Sequence, residues 1–233
     1  MALPVIETPV YEVTVPSTGK KIKFRPFLVK EQKILLMALD SDDTLEINRA
    51  IKEIIDSCTF NKLNIDTLPS FDSDYIFMKI RSKSVGEEIE LSIKCSDCNH
   101  PNDYSMNIDD LQIVKNEKHD KRIQITSNIG IVMRYPTMEE LSNLRLNYNI
   151  ENISNIVAAC IDKIYDEEEV HEGSESTVQE RVEWLETLNQ DQYDKLESFF
   201  TTAPYLNTTI EFDCIKCKTH NKIVVEGIAD FFG

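Results

Sequence analysis

Glu90-Leu91-Ser92-Ile93-Lys94-Cys95-Ser96-Asp97-Cys98 and Thr209-Ile210-Glu211-Phe212-Asp213-Cys214-Ile215-Lys216-Cys217 read as one pattern written twice. Leu91 and Ile93 alternate with polar residues, as do Ile210 and Phe212, which predicts a half-buried strand in each stretch. Each strand runs into a Cys-x-x-Cys turn, and a second strand-like stretch follows. Both cysteine pairs are therefore expected at the tips of β-hairpins. Asn102 and Asn221 hold matching places just beyond the two turns.

The repetition extends upstream. Lys23-Phe24-Arg25-Pro26-Phe27-Leu28-Val29-Lys30-Glu31 aligns with Val132-Met133-Arg134-Tyr135-Pro136-Thr137-Met138-Glu139-Glu140. Arg25 meets Arg134, Glu31 meets Glu140 and Leu35 meets Leu144, always 109 positions on. A helical stripe follows in each half: Ile47, Ile51, Ile54, Ile55 and Cys58, then Ile153, Ile156, Val157, Cys160, Ile161 and Ile164. That spacing is one face of an amphipathic helix. An aromatic-rich helix is expected around Tyr75, Phe77 and Met78, with a counterpart around Tyr193, Phe199 and Phe200.

The second half is longer. The added residues form an acidic loop over 166–176 and a further helix carrying Val178, Val182, Leu185 and Leu188, with Thr177 and Glu180 as a capping box at its start. Gly173-Ser174-Glu175-Ser176 is the best candidate for a mobile loop. The expected fold is α+β: a tandem duplication of a strand–helices–zinc-ribbon-like hairpin module. Its divisions are an extended arm over 1–15, a first repeat over 16–112 and a second over 113–233.

Cys95, Cys98, Cys214 and Cys217 are the candidate metal ligands. A Cys-x-x-Cys turn offers two thiolates to one side of a tetrahedron, and a second turn completes it, which favours one structural zinc ion shared by the two hairpins. Such a site would couple metal affinity to folding. Three other readings stand beside it. Cys95 and Cys98 could form a redox dithiol, although such motifs usually open a helix. Two separate sites could recruit His100 and His220. The cysteines could also be hairpin residues without metal. Cys58 and Cys160 read as buried small hydrophobes, and His119 and His171 as residues facing water.

Composition narrows the function. The chain has 233 residues, is 41% hydrophobic and carries a formal net charge of −16. That field repels nucleic-acid phosphates, which argues against a zinc-ribbon transcription factor, the main alternative function; a thiol oxidoreductase is the other. No apolar run approaches the ~20 residues of a membrane span. The start carries no secretory signal, so a cytosolic protein with reduced thiols is expected. With only 6 glycines, the chain contains no phosphate-binding loop, nucleophile elbow or metalloprotease motif, and a non-enzyme is expected.

The stretch Lys23–Glu31, the helix after it and the later strand–CxxC–strand with Cys95 and Cys98 resemble the baseplate hub subunit and hub-assembly proteins of T4-like contractile-tailed bacteriophages. The resemblance implies a protein that builds or forms the central hub of the tail baseplate, in the host cytoplasm during assembly and in the virion if retained. It implies other hub and tail proteins as partners, with self-association a further option, and it brings no catalytic residues.

Overall fold

The structure is a computed structural model and describes residues 6–41, 43–146 and 149–226. Residues 1–5 of the expected arm lie outside the described residues. The fold mixes helices with antiparallel sheets and is α+β. It has two compact units, one of Met1–Val114 with Tyr205–Gly233 and one of Lys115–Pro204. The hairpin expected to close the second repeat thus belongs to the first unit.

The first unit starts with β1 (Tyr11–Thr14) and β2 (Lys21–Phe24), paired antiparallel with Tyr11 opposite Phe24. Helices α1 (Val29–Ser41), α2 (Thr44–Cys58) and α3 (Ser70–Val85) follow. The Asp43 carboxylate caps α2 by accepting the Leu45 N–H. The stripe expected on this helix is its buried face: Ile51, Ile54, Ile55 and Cys58 are at most 1% exposed. Each such isoleucine contributes about 1.5–3 kcal/mol by leaving water. Phe71, Ile76, Phe77, Met78 and Ile80 make α3 the other large contributor to the interior. Then come the hairpin of β3 (Glu88–Lys94) and β4 (Pro101–Asn107), and β5 (Gln112–Val114).

The second unit contains β6 (Arg122–Gln124), β7 (Gly130–Met133), α4 (Met138–Leu146), α5 (Ile150–Ala159), β8 (Ile161–Tyr165), β9 (Val170–Glu172), α6 (Val178–Leu185) and α7 (Gln190–Thr202). Its sheet runs β6-β7-β8-β9, antiparallel throughout. Ile131, Met133, Cys160, Ile161, Leu196 and Phe199 are central to its core. The capping box of Thr177 and Glu180 opens α6, and a second one, Asn189 with Gln192, opens α7.

After the second unit the chain forms β10 (Tyr205–Asp213) and β11 (His220–Glu226). These complete the first unit in a sheet of order β11-β10-β5, in which Leu206 lies opposite Ile113.

Three expectations need correction. The helical stripe of the second half stops at Ala159, and Ile161 and Ile164 lie on β8, where pairing with β7 holds them. Gly173–Ser176 is pinned rather than loose: the Arg181 guanidinium donates to the carbonyls of Gly173 and Ser176, and its Nε donates to the Ala158 carbonyl at 2.8 Å. A Cβ at Gly173 would come within 2.3 Å of the Ile161 carbonyl oxygen, so this segment lies directly on β8. His119 is half-buried rather than turned out to water. Its ring stacks on Tyr135 and packs against Phe199, and its two nitrogens bond the hydroxyls of Thr202 and Tyr135 at 2.9 and 3.0 Å.

One set of contacts occurs in both units. The Arg25 N–H donates to the Cys58 carbonyl, and the Arg134 N–H to the Cys160 carbonyl. Arg25 pairs with Glu31 at 2.8 Å and Arg134 with Glu140 at 2.6 Å. Both glutamates reach back to the chain three residues before them, accepting the N–H of Leu28 and of Thr137. In each unit the arginine thus ties the end of a strand to the C-terminal end of the second helix, and the glutamate caps the first.

Candidate metal centre

The two Cys-x-x-Cys turns are built alike. In the first, the Cys95 N–H donates to the His100 carbonyl and the Asn99 N–H to the Cys95 carbonyl. In the second, the Cys214 N–H donates to the Thr219 carbonyl and the Lys218 N–H to the Cys214 carbonyl. To close, each turn needs a residue in the left-handed region just after its second cysteine: Asn99 at φ 55° and Lys218 at φ 63°. The strands fix the rest, since Lys94 pairs with Pro101 and Asp213 with His220.

The turns meet. The Sγ atoms of Cys95 and Cys217 are 3.6 Å apart, as are those of Cys98 and Cys214, and all four lie within 4.8 Å of one another. A tetrahedron with zinc–sulfur bonds of about 2.3 Å has edges of about 3.8 Å. The four thiols therefore have the spacing such an ion requires. Cys95 and Cys214 are buried, and Cys98 and Cys217 are half-buried.

Two buried amides lock this arrangement across the hairpins. Asn102 Oδ1 accepts the Ile215 N–H at 2.9 Å, and Asn221 Oδ1 accepts the Ser96 N–H at 2.9 Å. Each amide nitrogen donates to a carbonyl of its own turn, Asn102 to His100 and Asn221 to Thr219. Asn221 Nδ2 also lies 3.5 Å from the Cys95 sulfur. At the rim, the Thr219 hydroxyl donates to the Asp97 carboxylate at 3.2 Å. The amides' role escaped the sequence reading, although each Asn falls four residues after the second cysteine of its pair.

The electrostatics suit a cation. The N–H of Cys98, followed by that of Asp97, points at the Cys95 sulfur and lowers its pKa. The N–H groups of Cys217 and Lys216 do the same for Cys214, which falls to about 6. Cys98 moves the other way. The His100 N–H lowers it, but burial and the three other sulfurs outweigh that donor and hold it at about 12. Cys214 thus ionises readily while its neighbour Cys98 resists. Full deprotonation of four sulfurs this close calls for a positive ion among them.

The remaining candidate ligands lie apart from this cluster. His220 is exposed and pairs with Asp213 at 2.9 Å. Neither it nor His100 joins the four sulfurs in the metal-capable group found among the described residues. Cys58 and Cys160 are buried, and burial raises their pKa to about 11 and about 12. Both Cys-x-x-Cys segments sit between antiparallel strands, so neither opens a helix as a redox dithiol usually does.

The T4 bacteriophage base plate protein family matches residues 8–233, a span that includes both units and all four cysteines. The chain belongs to that family. It is a T4-like phage baseplate protein, and tail proteins are the partners its family implies. No curated protein and no solved structure matches it. No helix among the described residues of this baseplate protein is long and apolar enough to cross a membrane.

Proposed function

We propose that this baseplate protein is a non-enzymatic subunit or assembly factor of the central hub, made rigid by one structural zinc ion on Cys95, Cys98, Cys214 and Cys217. The observation that carries the reading is the convergence of four sulfurs within 4.8 Å from turns 119 positions apart, in a chain of a baseplate family. Zinc is the fitting ion because a closed four-thiolate set without an open position is its structural environment. When bound, it would supply cross-linking rather than chemistry. The chain's own residues do the positioning: the strands aim the cysteines, main-chain N–H groups favour the thiolates of Cys95 and Cys214, and Asn102 and Asn221 hold the turns together.

The recurrent Arg–Glu–Cys contacts and the matched turns also support descent from a tandem duplication. In that reading β8, β9 and α6 are additions to the second copy.

Metal analysis of the purified chain tests the proposal. One zinc per chain is expected, with its loss in Cys95→Ser and Cys214→Ser alike. Stability should then fall steeply, since structural zinc contributes on the order of 10 kcal/mol. Pull-down from infected cells should recover other hub proteins. A chain without metal would refute the staple, and recovery of no tail protein would refute the hub role.

A further inference from the structure

Helix α1 carries an apolar stripe that stays exposed among the described residues. Val29 is 68% exposed, Leu36 56% and Met37 74%, while Leu35 and Ala38 on the opposite side are buried. Val29, Lys33, Leu36, Met37 and Asp40 follow the spacing i, i+4, i+7, i+8 and i+11, so they share one face, and all five are exposed. Three large apolar side chains on one outward face of a 13-residue helix are more than scattered surface residues.

The charges on this stripe indicate what covers it. Lys33 lies on the N-terminal side of Leu36 and Met37, and Asp40 lies the same distance beyond them. Neither makes an ion pair within the chain among the described residues. The stripe therefore complements itself. If two α1 helices run antiparallel about a twofold axis between Leu36 and Met37, Lys33 meets Asp40 of the partner subunit. Asp40 then meets the partner's Lys33. Leu36 lies against the partner's Met37, and the apolar centre closes between two ion pairs. An isologous contact needs this self-matching, because every residue must suit its symmetry mate.

We propose that this face of α1 is the contact by which two copies of the chain form a twofold dimer. A helix of 13 residues is about 20 Å long, so the contact is small and the dimer is expected to dissociate in the micromolar range.

Sedimentation equilibrium of the full chain over a concentration series tests this. The expected mass rises from 26.9 kDa toward twice that value. Leu36→Asp with Met37→Asp should keep the chain monomeric. Lys33→Asp and Asp40→Lys should each weaken association about tenfold or more, because each sets like charges against each other across the axis, and the double swap should restore it. Circular dichroism should show all variants folded, since the altered side chains are exposed. A chain that stays monomeric at every concentration overturns the proposal. So does a dimer indifferent to Leu36 and Met37, or charge swaps whose effects simply add.

Discussion

Asn102 and Asn221 perform the same task for each other's hairpin: each accepts, at 2.9 Å, the N–H of the residue that follows the first cysteine of the opposite turn. Each is at most 3% exposed. Removing either amide breaks a part-buried hydrogen bond between the two turns, at a cost of about 0.5–1.5 kcal/mol. Asn102→Ala and Asn221→Ala should each destabilise the chain by that amount in denaturant titration. Each should also weaken metal retention about 10–100-fold in chelator competition, as loss of a residue supporting metal ligands commonly does. Asn221→Ala should have the larger effect on retention, because its amide also faces the Cys95 sulfur.

The Arg25–Glu31 pair predicts an acid transition. Burial alone would raise the Glu31 carboxyl, but hydrogen bonds from Arg25, the Leu28 N–H and Ser57 outweigh it and bring it from 4.5 to about 2. A depressed carboxyl contributes stability that is complete above its unfolded value. That contribution should be intact above pH 4.5 and drain away as pH falls toward 2, about 3 kcal/mol in all. Glu31→Gln should flatten this part of the pH–stability curve and cost about 3–5 kcal/mol at neutral pH, because the Arg25 side chain, 11% exposed, is left without its counter-charge. Glu140→Gln should cost less, since Arg134 is 39% exposed.

Lys218 holds φ at 63° without the freedom of glycine. Side chains with a Cβ are strained in this region, and glycine is not. Lys218→Gly should raise the unfolding free energy by about 0.5–1 kcal/mol without altering metal content. Asn99→Gly should gain less, because asparagine enters the same region more easily than lysine. Thermal denaturation of the two variants checks the order.

His119 gives a second pH signature. Burial against Tyr135 and Phe199 lowers its pKa below 6.5, with Asp120 opposing and Lys121 reinforcing. The folded state therefore favours the neutral ring, and the unfolded state takes up the proton first as pH drops. Stability should be complete above pH 6.5 and should decline as the solution is acidified through the lower, folded value. His119→Phe should remove that portion of the slope, read as the difference between the two pH–melting curves.

Much of this was legible in the residues. The strands leading to Cys95 and Cys214 show in their alternation, and α2 shows in its stripe from Ile47 to Cys58. Thr177 and Glu180 mark the start of α6, and the shared offset of Arg25 and Glu31 with Arg134 and Glu140 marks the recurring contacts. The switch from helix to strand after Cys160 was not legible. Ile161 and Ile164 fit a helical stripe as well as a strand, and only the pairing of Ile161 with Met133 and of Ile164 with Ile131 decides between them. His119 sits among charged neighbours in the sequence, yet its surroundings in space are aromatic.

The sequence by itself determined which residues are apolar, in what period, and which side chains could bind a metal or cap a helix, because those depend on residues within a turn or two of one another. Only the tertiary structure decided that β10 returns to lie beside β5, that two distant turns bring their sulfurs within bonding reach of one ion, and that each turn is fastened by an amide from the other. Those outcomes join segments more than ninety residues apart. The free energy selecting them comes from burial and hydrogen bonding between surfaces that no local pattern can match to each other.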